Sequence, residues 1–141
     1  MYNKILLPTD GSTYADQEAE RVEKLLADDG EVIVLSVAGR LTSSAFQSRR
    51  KVKKVNEKLK KDAQRFVDNM ASKFDEDMNV KKMVLTGFPA EVIHDVAEKE
   101  GVDLIVISSP GKSGIHKFVL GSVAEKVLKN SDVDVLLVHN D

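Results

Sequence analysis

Residues 104–107 read Leu104-Ile105-Val106-Ile107, a run that is apolar at every position and rich in β-branched side chains. A strand with one solvent-exposed face alternates apolar and polar residues, whereas a strand covered on both faces is apolar throughout. The run is therefore typical of a buried strand with helices on both sides. Four similar runs occur at residues 5–7, 32–37, 80–85 (a weaker run, interrupted by two lysines) and 135–138.

Segments with helical periodicity lie between these five runs, because their apolar residues recur every three or four positions. The resulting order is βαβαβαβαβ, which predicts one α/β domain over residues 1–141: a three-layer, open parallel five-stranded sheet with helices on both faces. The first helix is expected to end at Gly30, and the second to cover about residues 48–75. The third is expected to start at Pro89 and end at Gly101, and the fourth to open with a capping box formed by Ser122 and Glu125.

Composition and charge exclude several classes of protein. The chain has 141 residues, no cysteine, 21 Lys and Arg, 23 Asp and Glu, and a net charge of −2. The lack of cysteine excludes a disulfide scaffold and thiolate metal sites, and it is compatible with the cytoplasm. No uncharged apolar run reaches the ~18 residues of a membrane span. We therefore expect a cytoplasmic protein without membrane or nucleic-acid partners, and no His, Asp and Glu spacing predicts a metal site.

The segment after the fourth strand is the best candidate for a binding site. In an open parallel sheet, ligands bind beyond the carboxyl ends of the strands, where strand order reverses. This segment is rich in glycine and serine, carries Lys112 and His116, and leads to a helix at Ser122. Free N–H groups at a helix N-terminus bind anions such as phosphate. The alternative interpretation is that Gly111 and Gly114 are turn residues and Ser122 is only a cap.

Four segments together resemble the universal stress protein family. They are Leu7-Pro8-Thr9-Asp10-Gly11-Ser12, Gly87-Phe88-Pro89-Ala90, Gly111 followed after nine residues by Gly121-Ser122, and residues 133–138. Their order and spacing agree over essentially the whole chain. The resemblance implies an adenine nucleotide alpha hydrolase-like fold with strand order 3-2-1-4-5. It also implies a stress-response regulatory protein that binds ATP, with which Mg²⁺ could enter through the phosphates.

The resemblance further implies which residues form the nucleotide site. Asp10, with Pro8 and Thr9 before it, would contact adenine and ribose, and the backbone of Val37 would hydrogen-bond to adenine. The phosphates would be held by the loop and the helix that follows it, through Gly111, Gly121, Ser122 and the amides of Val123 and Ala124. Lys112 and His116 would each either pair with a phosphate or face solvent.

Ser108 stands where the family motif, Gly-x2-Gly-x9-Gly-Ser/Thr, has its first glycine. Its side chain could crowd the ribose or phosphate, or its hydroxyl could bond to them. The sequence therefore leaves two functions open: a nucleotide-binding regulator, and a member without nucleotide that acts by dimerisation and partner docking. His116 is the one candidate base near the loop, so we expect at most slow ATP hydrolysis and no efficient enzyme.

The fifth strand is expected to be an unprotected edge of the sheet. In the order 3-2-1-4-5 the edges are strands 3 and 5, and strand 3 carries Lys81 and Lys82, which discourage pairing. Strand 5 has neither Lys nor Pro. This asymmetry predicts a two-fold homodimer through the strand 5 edge, as the resemblance also implies. The residues concerned are Val135, Leu136, Leu137 and Val138.

The strongest charge run covers residues 49–61, with Lys or Arg at 49, 50, 51, 53, 54, 58, 60 and 61 against one acid, Glu57. A basic amphipathic helix can bind a membrane surface or nucleic acid. Here the apolar stripe is needed to cover the sheet, and no aromatic residues interleave the charges. We therefore interpret the run as a solvated helix face. The alternative is a docking patch for an acidic protein partner.

Overall fold

A computed structural model describes residues 1–11, 15–39, 48–109 and 121–139. Within these ranges, strands and helices alternate along the chain as predicted. The elements are β1 (Tyr2–Pro8), α1 (Ala15–Leu25), β2 (Leu26–Ala38), α2 (Arg49–Ala71), β3 (Asn79–Thr86), α3 (Pro89–Glu100), β4 (Leu104–Ser109), α4 (Ser122–Asn130) and β5 (Asp134–His139).

The five strands form one parallel sheet with the order β3-β2-β1-β4-β5. This confirms the predicted fold class and strand order. β1 is the central strand, and its neighbours are β2 on one side and β4 on the other. β3 and β5 are the two edges. Each helix joins consecutive strands, so that the sheet can be parallel throughout.

Helices cover both faces of the sheet, because neighbouring residues of a strand contribute to opposite faces. In β1, Ile5 and Leu7 face α1 and α2, while Leu6 faces α3 and α4. The α1–α2 core contains Ile5, Leu7, Ala19, Val22, Val32, Val34, Val67, Met70, Phe74, Leu104, Val106 and Val138. The α3–α4 core contains Leu6, Ile33, Leu35, Ile93, Val96, Ala97, Ile105, Ile107, Ala124 and Val127.

α1 does not end where the sequence predicts, and α4 begins at Ser122 as predicted but without the predicted cap. α1 ends at Leu25 and not at Gly30. Gly30 is buried within β2, and a Cβ there would lie 2.9 Å from the carbonyl oxygen of Asn3, so the glycine permits close strand contact. At α4, Gly121 is the N-cap residue and makes no side-chain cap hydrogen bond. Ser122 is therefore the first helical residue, and the expected capping box does not form.

The start of α2 and both ends of α3 are confirmed, whereas α2 ends at Ala71, short of the predicted end at about residue 75. The hydroxyl of Ser48 caps α2 by accepting from the Lys51 amide at 3.2 Å. Pro89 lies in the first turn of α3, and Gly101 ends that helix with a φ of +66°. One stripe position differs: Val55 of α2 is 42% exposed although its spacing placed it on the buried face. Val55 lies in the second turn of α2, close to the N-terminus of the helix, where the apolar stripe starts.

The surface of the sheet edge and of α2 agrees with the interpretation of the charges. Lys81 and Lys82 of β3 are exposed and pair with Glu100 of α3 at 2.6 Å and Asp68 of α2 at 2.9 Å. All eight Lys and Arg residues between positions 49 and 61 are exposed, as both a solvated face and a docking patch require. In the described part of the chain, no helix is both long and apolar enough to cross a bilayer.

Candidate functional site

β1 and β4 are neighbours in the sheet, but they separate towards their carboxyl ends. Their pairing joins Ile5 to Leu104 and Leu6 to Ile105, whereas β1 remains paired with β2 as far as Pro8. Strand order reverses at this point, and open α/β sheets bind ligands at such a reversal. We call the gap between the ends of β1 and β4 the β1–β4 cleft.

The turn after β1 holds Asp10 at the edge of the β1–β4 cleft. The Thr9 amide donates to the carbonyl oxygen of Leu35 at 2.8 Å, and the Thr9 hydroxyl accepts from the Gly11 amide at 3.3 Å. Gly11 has a φ of +83°, and the Phe66 ring of α2 lies 2.4 Å from the position that a Cβ on Gly11 would occupy. The turn is therefore packed against α2, and Asp10 between these anchored residues is exposed.

α1 brings a buried acid, Glu18, to the same place. Glu18 is 1% exposed, and among the described residues its Oε2 atom has no hydrogen-bond partner. Its carboxyl group is hydrogen-bonded to the Ser108 side chain of β4. Burial, and then the nearby charge of Asp10, raise the pKa of Glu18 from 4.5 to about 7, while the Ser108 hydrogen bond acts to lower it.

Ser108 reaches Glu18 because of its register in β4. Leu104 and Val106 belong to the α1–α2 core, and Ser108 is the next residue on that face. The hydroxyl therefore points to α1 and bonds to a protein carboxyl group. From the sequence, Ser108 is predicted either to bond to a ligand or to crowd it, and no local signal indicates its contact with Glu18.

The sequence contained one signal for Glu18. Ala19 and Val22 mark the buried stripe of α1, and Glu18 lies four residues before Val22, so its spacing placed it on that stripe. An acid on a buried stripe indicates a site that either pairs the charge or neutralises it. The structure thus joins Asp10, Glu18 and Ser108, of which the sequence analysis named the first and the last.

The start of α4 supplies backbone N–H groups, as predicted. Gly121 has φ −65° and ψ 153°, and its carbonyl oxygen accepts from the Glu125 amide at 2.9 Å. Glycine has no side chain to cap the first turn, and the first N–H groups of a helix lack intrahelical acceptors. Ser122 is exposed, Val123 is half-buried and Ala124 is buried. This end of α4 can therefore bind an anion through its backbone.

Ser122 and Val123 also line an open groove of about 1100 Å³ between α3 and α4. Phe88, directly before α3, is 76% exposed and lines the same groove. The contacts of the described residues thus connect Asp10 with Glu18 and Ser108, and the start of α4 with the start of α3.

The remaining expected site residues divide between described and undescribed parts of the chain. Pro8 ends β1 opposite Leu35, and Val37 lies near the end of β2 opposite Leu85. Both side chains are half-buried. Gly111 and Lys112, with His116 and Gly114 of the same loop, lie outside the described residues.

A group of three possible metal ligands lies apart from the β1–β4 cleft, although no spacing in the sequence predicts it. Ligand atoms of His94, Glu98 and Asp132 lie within 4.8 Å of one another. His94 and Glu98 are one turn apart on α3, with 3.3 Å between Nε2 and Oε1, and Asp132 follows α4. Only the fold brings Asp132 to this pair.

The chain matches a family model and several solved structures. The model described as the universal stress protein family matches residues 1–139. Universal stress protein MJ0577 of Methanocaldococcus jannaschii is 34% identical over 98% of this chain and 95% of that protein. A solved structure of MJ0577 has a TM-score of 0.78 and covers 100% of this chain and 98% of that chain.

Two more distant structures share the fold. One is a universal stress protein in complex with cAMP, with a TM-score of 0.60 and 21% identity over 99% of this chain and 98% of that one. The other, from Arabidopsis thaliana with AMP bound, has a TM-score of 0.66 and 17% identity over 99% and 92%. The family model over residues 1–139 and the 34% identity to universal stress protein MJ0577 show that the chain belongs to the universal stress protein family.

Proposed function

We propose that this protein is a stress-response regulator that binds an adenine nucleotide, ATP in the first instance, at the β1–β4 cleft. The observation that carries the proposal is the separation of β1 and β4 beyond Leu6 and Ile105, at the reversal of strand order. Asp10 lies at the end of β1, on one side of this cleft. Two solved structures with the same fold contain cAMP and AMP, which supports an adenine nucleotide as the ligand.

In this proposal, the β1 side of the cleft binds the nucleoside and the start of α4 binds the phosphates. The carboxylate of Asp10 accepts from ribose hydroxyls or from the adenine amino group, both of which are donors. The amides of Ser122, Val123 and Ala124 donate to phosphate oxygens, and the positive end of the helix dipole favours the negative charge there.

Titration calorimetry with ATP, AMP and cAMP tests the proposal directly. We expect at least one of the three to bind, and mass spectrometry of denatured, freshly purified protein to detect the nucleotide that it retains. A ligand at 100 times its Kd should also stabilise the protein by about 2.7 kcal/mol. If none of the three binds and no nucleotide is released, the proposal is wrong.

Ser122→Asp is expected to weaken ATP binding by about tenfold or more while leaving the fold intact. The new carboxylate would lie in the first turn of α4, where it repels phosphate but interacts favourably with the helix dipole. Affinity and stability should therefore respond differently, as measured by calorimetry and by thermal unfolding. Asn130→Asp, which adds the same charge at the other end of α4, is the control and should bind ATP like the parent protein. Equal affinity of the Ser122→Asp and parent proteins would exclude phosphate from this helix start.

We also propose that two copies pair through the exposed edge of β5. β5 is an edge strand of the sheet, next to β4. Leu136 and Val138 pack on the α1–α2 core and Val135 and Leu137 on the α3–α4 core, so both faces of the strand are already used within one chain. The free side of β5 is its backbone edge, which favours pairing with a second strand.

Leu136→Lys should convert the dimer to a monomer, because a lysine on an edge strand opposes pairing. The alkyl stem of lysine can keep part of the leucine contact while the ammonium group reaches solvent. The matched control is Leu85→Lys on β3, the opposite edge, where Leu85 is already 37% exposed. Light scattering coupled to size exclusion gives the mass of each variant. A monomeric parent protein, or a dimeric Leu136→Lys variant, would contradict the proposed interface.

One observation favours the second candidate function, a member that acts by dimerisation and docking without a nucleotide. The buried carboxyl group of Glu18 is bonded to Ser108, at the position of the motif's first glycine. A carboxylate there opposes phosphate binding. Under this alternative no nucleotide binds at any pH, whereas the parent protein still forms the β5 dimer. The titrations above therefore separate the two functions.

A further inference from the structure

Glu18 is a buried ionisable group that the family resemblance does not assign to the site. We propose that Glu18 is a proton-dependent gate of the β1–β4 cleft, whose neutral carboxyl group admits a nucleotide and whose carboxylate repels the phosphates. The proposal rests on the nucleotide-binding function proposed above and adds a form of regulation to it.

Glu18 is buried and incompletely hydrogen-bonded within the described part of the chain. Among the described residues, Glu18 and Ser36 are the buried polar side chains, and Glu18 alone of the two can carry a charge. Its Oε2 atom has no hydrogen-bond partner in that part of the chain, although the side chain is 99% removed from solvent (1% exposed). A buried oxygen atom without a hydrogen-bond donor is energetically unfavourable. A ligand that donates to it, or a proton that neutralises the carboxyl group, removes this cost. Because the carboxyl group is bonded to Ser108, it lies where the nucleotide motif begins.

The groups around Glu18 determine the sign of the charge that acts on it. α1 packs against β2, β4 and α2. From the end of β1, Asp10 acts on Glu18 through its negative charge, and from β4, Ser108 contributes a hydroxyl. Just after the end of α2, Lys73 pairs with Asp16 of α1 at 3.1 Å. The core residues that these elements contribute are all apolar: Leu26, Val32 and Val34 of β2, Val67 and Met70 of α2, and Phe74 just after α2. The described charge acting on Glu18 is therefore negative.

A bound nucleotide would add the charge of its phosphates to that of Asp10. In a buried setting, repulsion between like charges is strong, so a carboxylate at Glu18 would weaken binding. A proton on Oε2 removes this repulsion and also provides a donor for a phosphate or ribose oxygen. Binding should therefore take up a proton, and by linkage a bound nucleotide should make Glu18 harder to ionise.

The expected size of the effect follows from the neutral fraction of Glu18. The pKa of about 7 lies within the physiological range, so the neutral fraction falls about tenfold between pH 6 and pH 8. Apparent affinity is proportional to the competent fraction. The affinity for nucleotide should thus be high at pH 6 and should fall about tenfold as the pH rises from 6 to 8.

The test compares ATP binding by the parent protein, Glu18→Gln and Glu23→Gln at pH 6 and pH 8. Glutamine keeps the size of the side chain without its charge, and Glu23 is an exposed acid on the same helix. ATP, Lys112 and His116 are the same in all three titrations. Their contribution to the pH dependence therefore cancels when the Kd of one protein is divided by the Kd of another at the same pH. We expect the Kd of the parent protein to match that of Glu18→Gln within about twofold at pH 6 and to exceed it about tenfold at pH 8. Glu23→Gln should follow the parent protein.

A ratio that is the same at both pH values would overturn the gate while leaving nucleotide binding intact. If neither the parent protein nor Glu18→Gln binds ATP at either pH, the proposed function fails, and the gate fails with it. Proton uptake provides a readout that needs no variant: calorimetry at pH 7 in two buffers of different ionisation enthalpy should show the parent protein taking up protons as ATP binds. Binding without proton uptake would also contradict the gate.

Discussion

Glu18→Gln is expected to become more stable than the parent protein as the pH rises, with a relative gain of about 3 kcal/mol between pH 4 and pH 8. The pKa of Glu18 is about 7 in the folded chain, against an ordinary value of 4.5. A raised pKa means that the folded state holds the proton more tightly than the unfolded chain does. The stability that this proton contributes is complete below about pH 4.5 and is lost as the pH rises through 7, at about 1.4 kcal/mol per pKa unit.

Urea unfolding of both proteins over this pH range measures the difference. Other ionisable groups change the stability of the two proteins equally, so the difference isolates Glu18. Glu23→Gln is the matched control, because Glu23 is exposed on the same helix and should give a curve parallel to that of the parent protein. If the curves of Glu18→Gln and the parent protein also run parallel, Glu18 ionises normally and its buried position has no energetic consequence.

Gly11→Ala is expected to destabilise the protein by about 2–5 kcal/mol. The φ of +83° costs a residue with a Cβ about 1–2 kcal/mol. The new methyl group would also lie 2.4 Å from the Phe66 ring, and overpacking of this kind costs about 1–3 kcal/mol more. The turn that presents Asp10 would have to move, so the variant should lose ATP affinity as well if Asp10 binds the ligand.

Gly101→Ala separates the two contributions to this cost. Gly101 has a similar φ of +66°, but no atom lies within 4 Å of the position of its Cβ. It should therefore show the backbone cost alone, about 1–2 kcal/mol. In a Phe66→Leu background, Gly11→Ala should approach the same value because the smaller side chain relieves the clash. Equal costs for Gly11→Ala and Gly101→Ala in the parent protein would show that the Phe66 contact is unimportant.

Much of the fold was predictable because burial on both faces leaves a direct trace in the sequence. A strand between two helical layers must be apolar at consecutive positions, as in residues 104–107, and the spacing of apolar residues in the helices follows from a period of 3.6. The ends of α3 at Pro89 and Gly101 were predictable because they depend on the backbone preferences of those two residues. At Gly30 a local signal failed, because a glycine that ends a helix and a glycine that permits close strand contact look the same in a sequence.

The candidate site was predictable only in part, for a related reason. The position of Asp10 after β1 and of Gly121 before α4 could be inferred from the order of elements and from the resemblance to a family. The bond between Glu18 and Ser108 joins residues on α1 and β4, and their meeting depends on the register of β4 and the rotation of α1. The group formed by His94, Glu98 and Asp132 depends on the fold in the same way.

The alternation of strands and helices, the apolar faces of both cores and the family can be read without coordinates, because each depends on the spacing of residues near one another in the chain. Three features follow only from tertiary packing. β1 and β4 separate beyond Leu6, Ser108 hydrogen-bonds to a protein carboxyl group, and Glu18 is buried from solvent near Asp10. The ionisation of a buried acid depends on the solvent and the charges around it, and those are set by packing between distant segments.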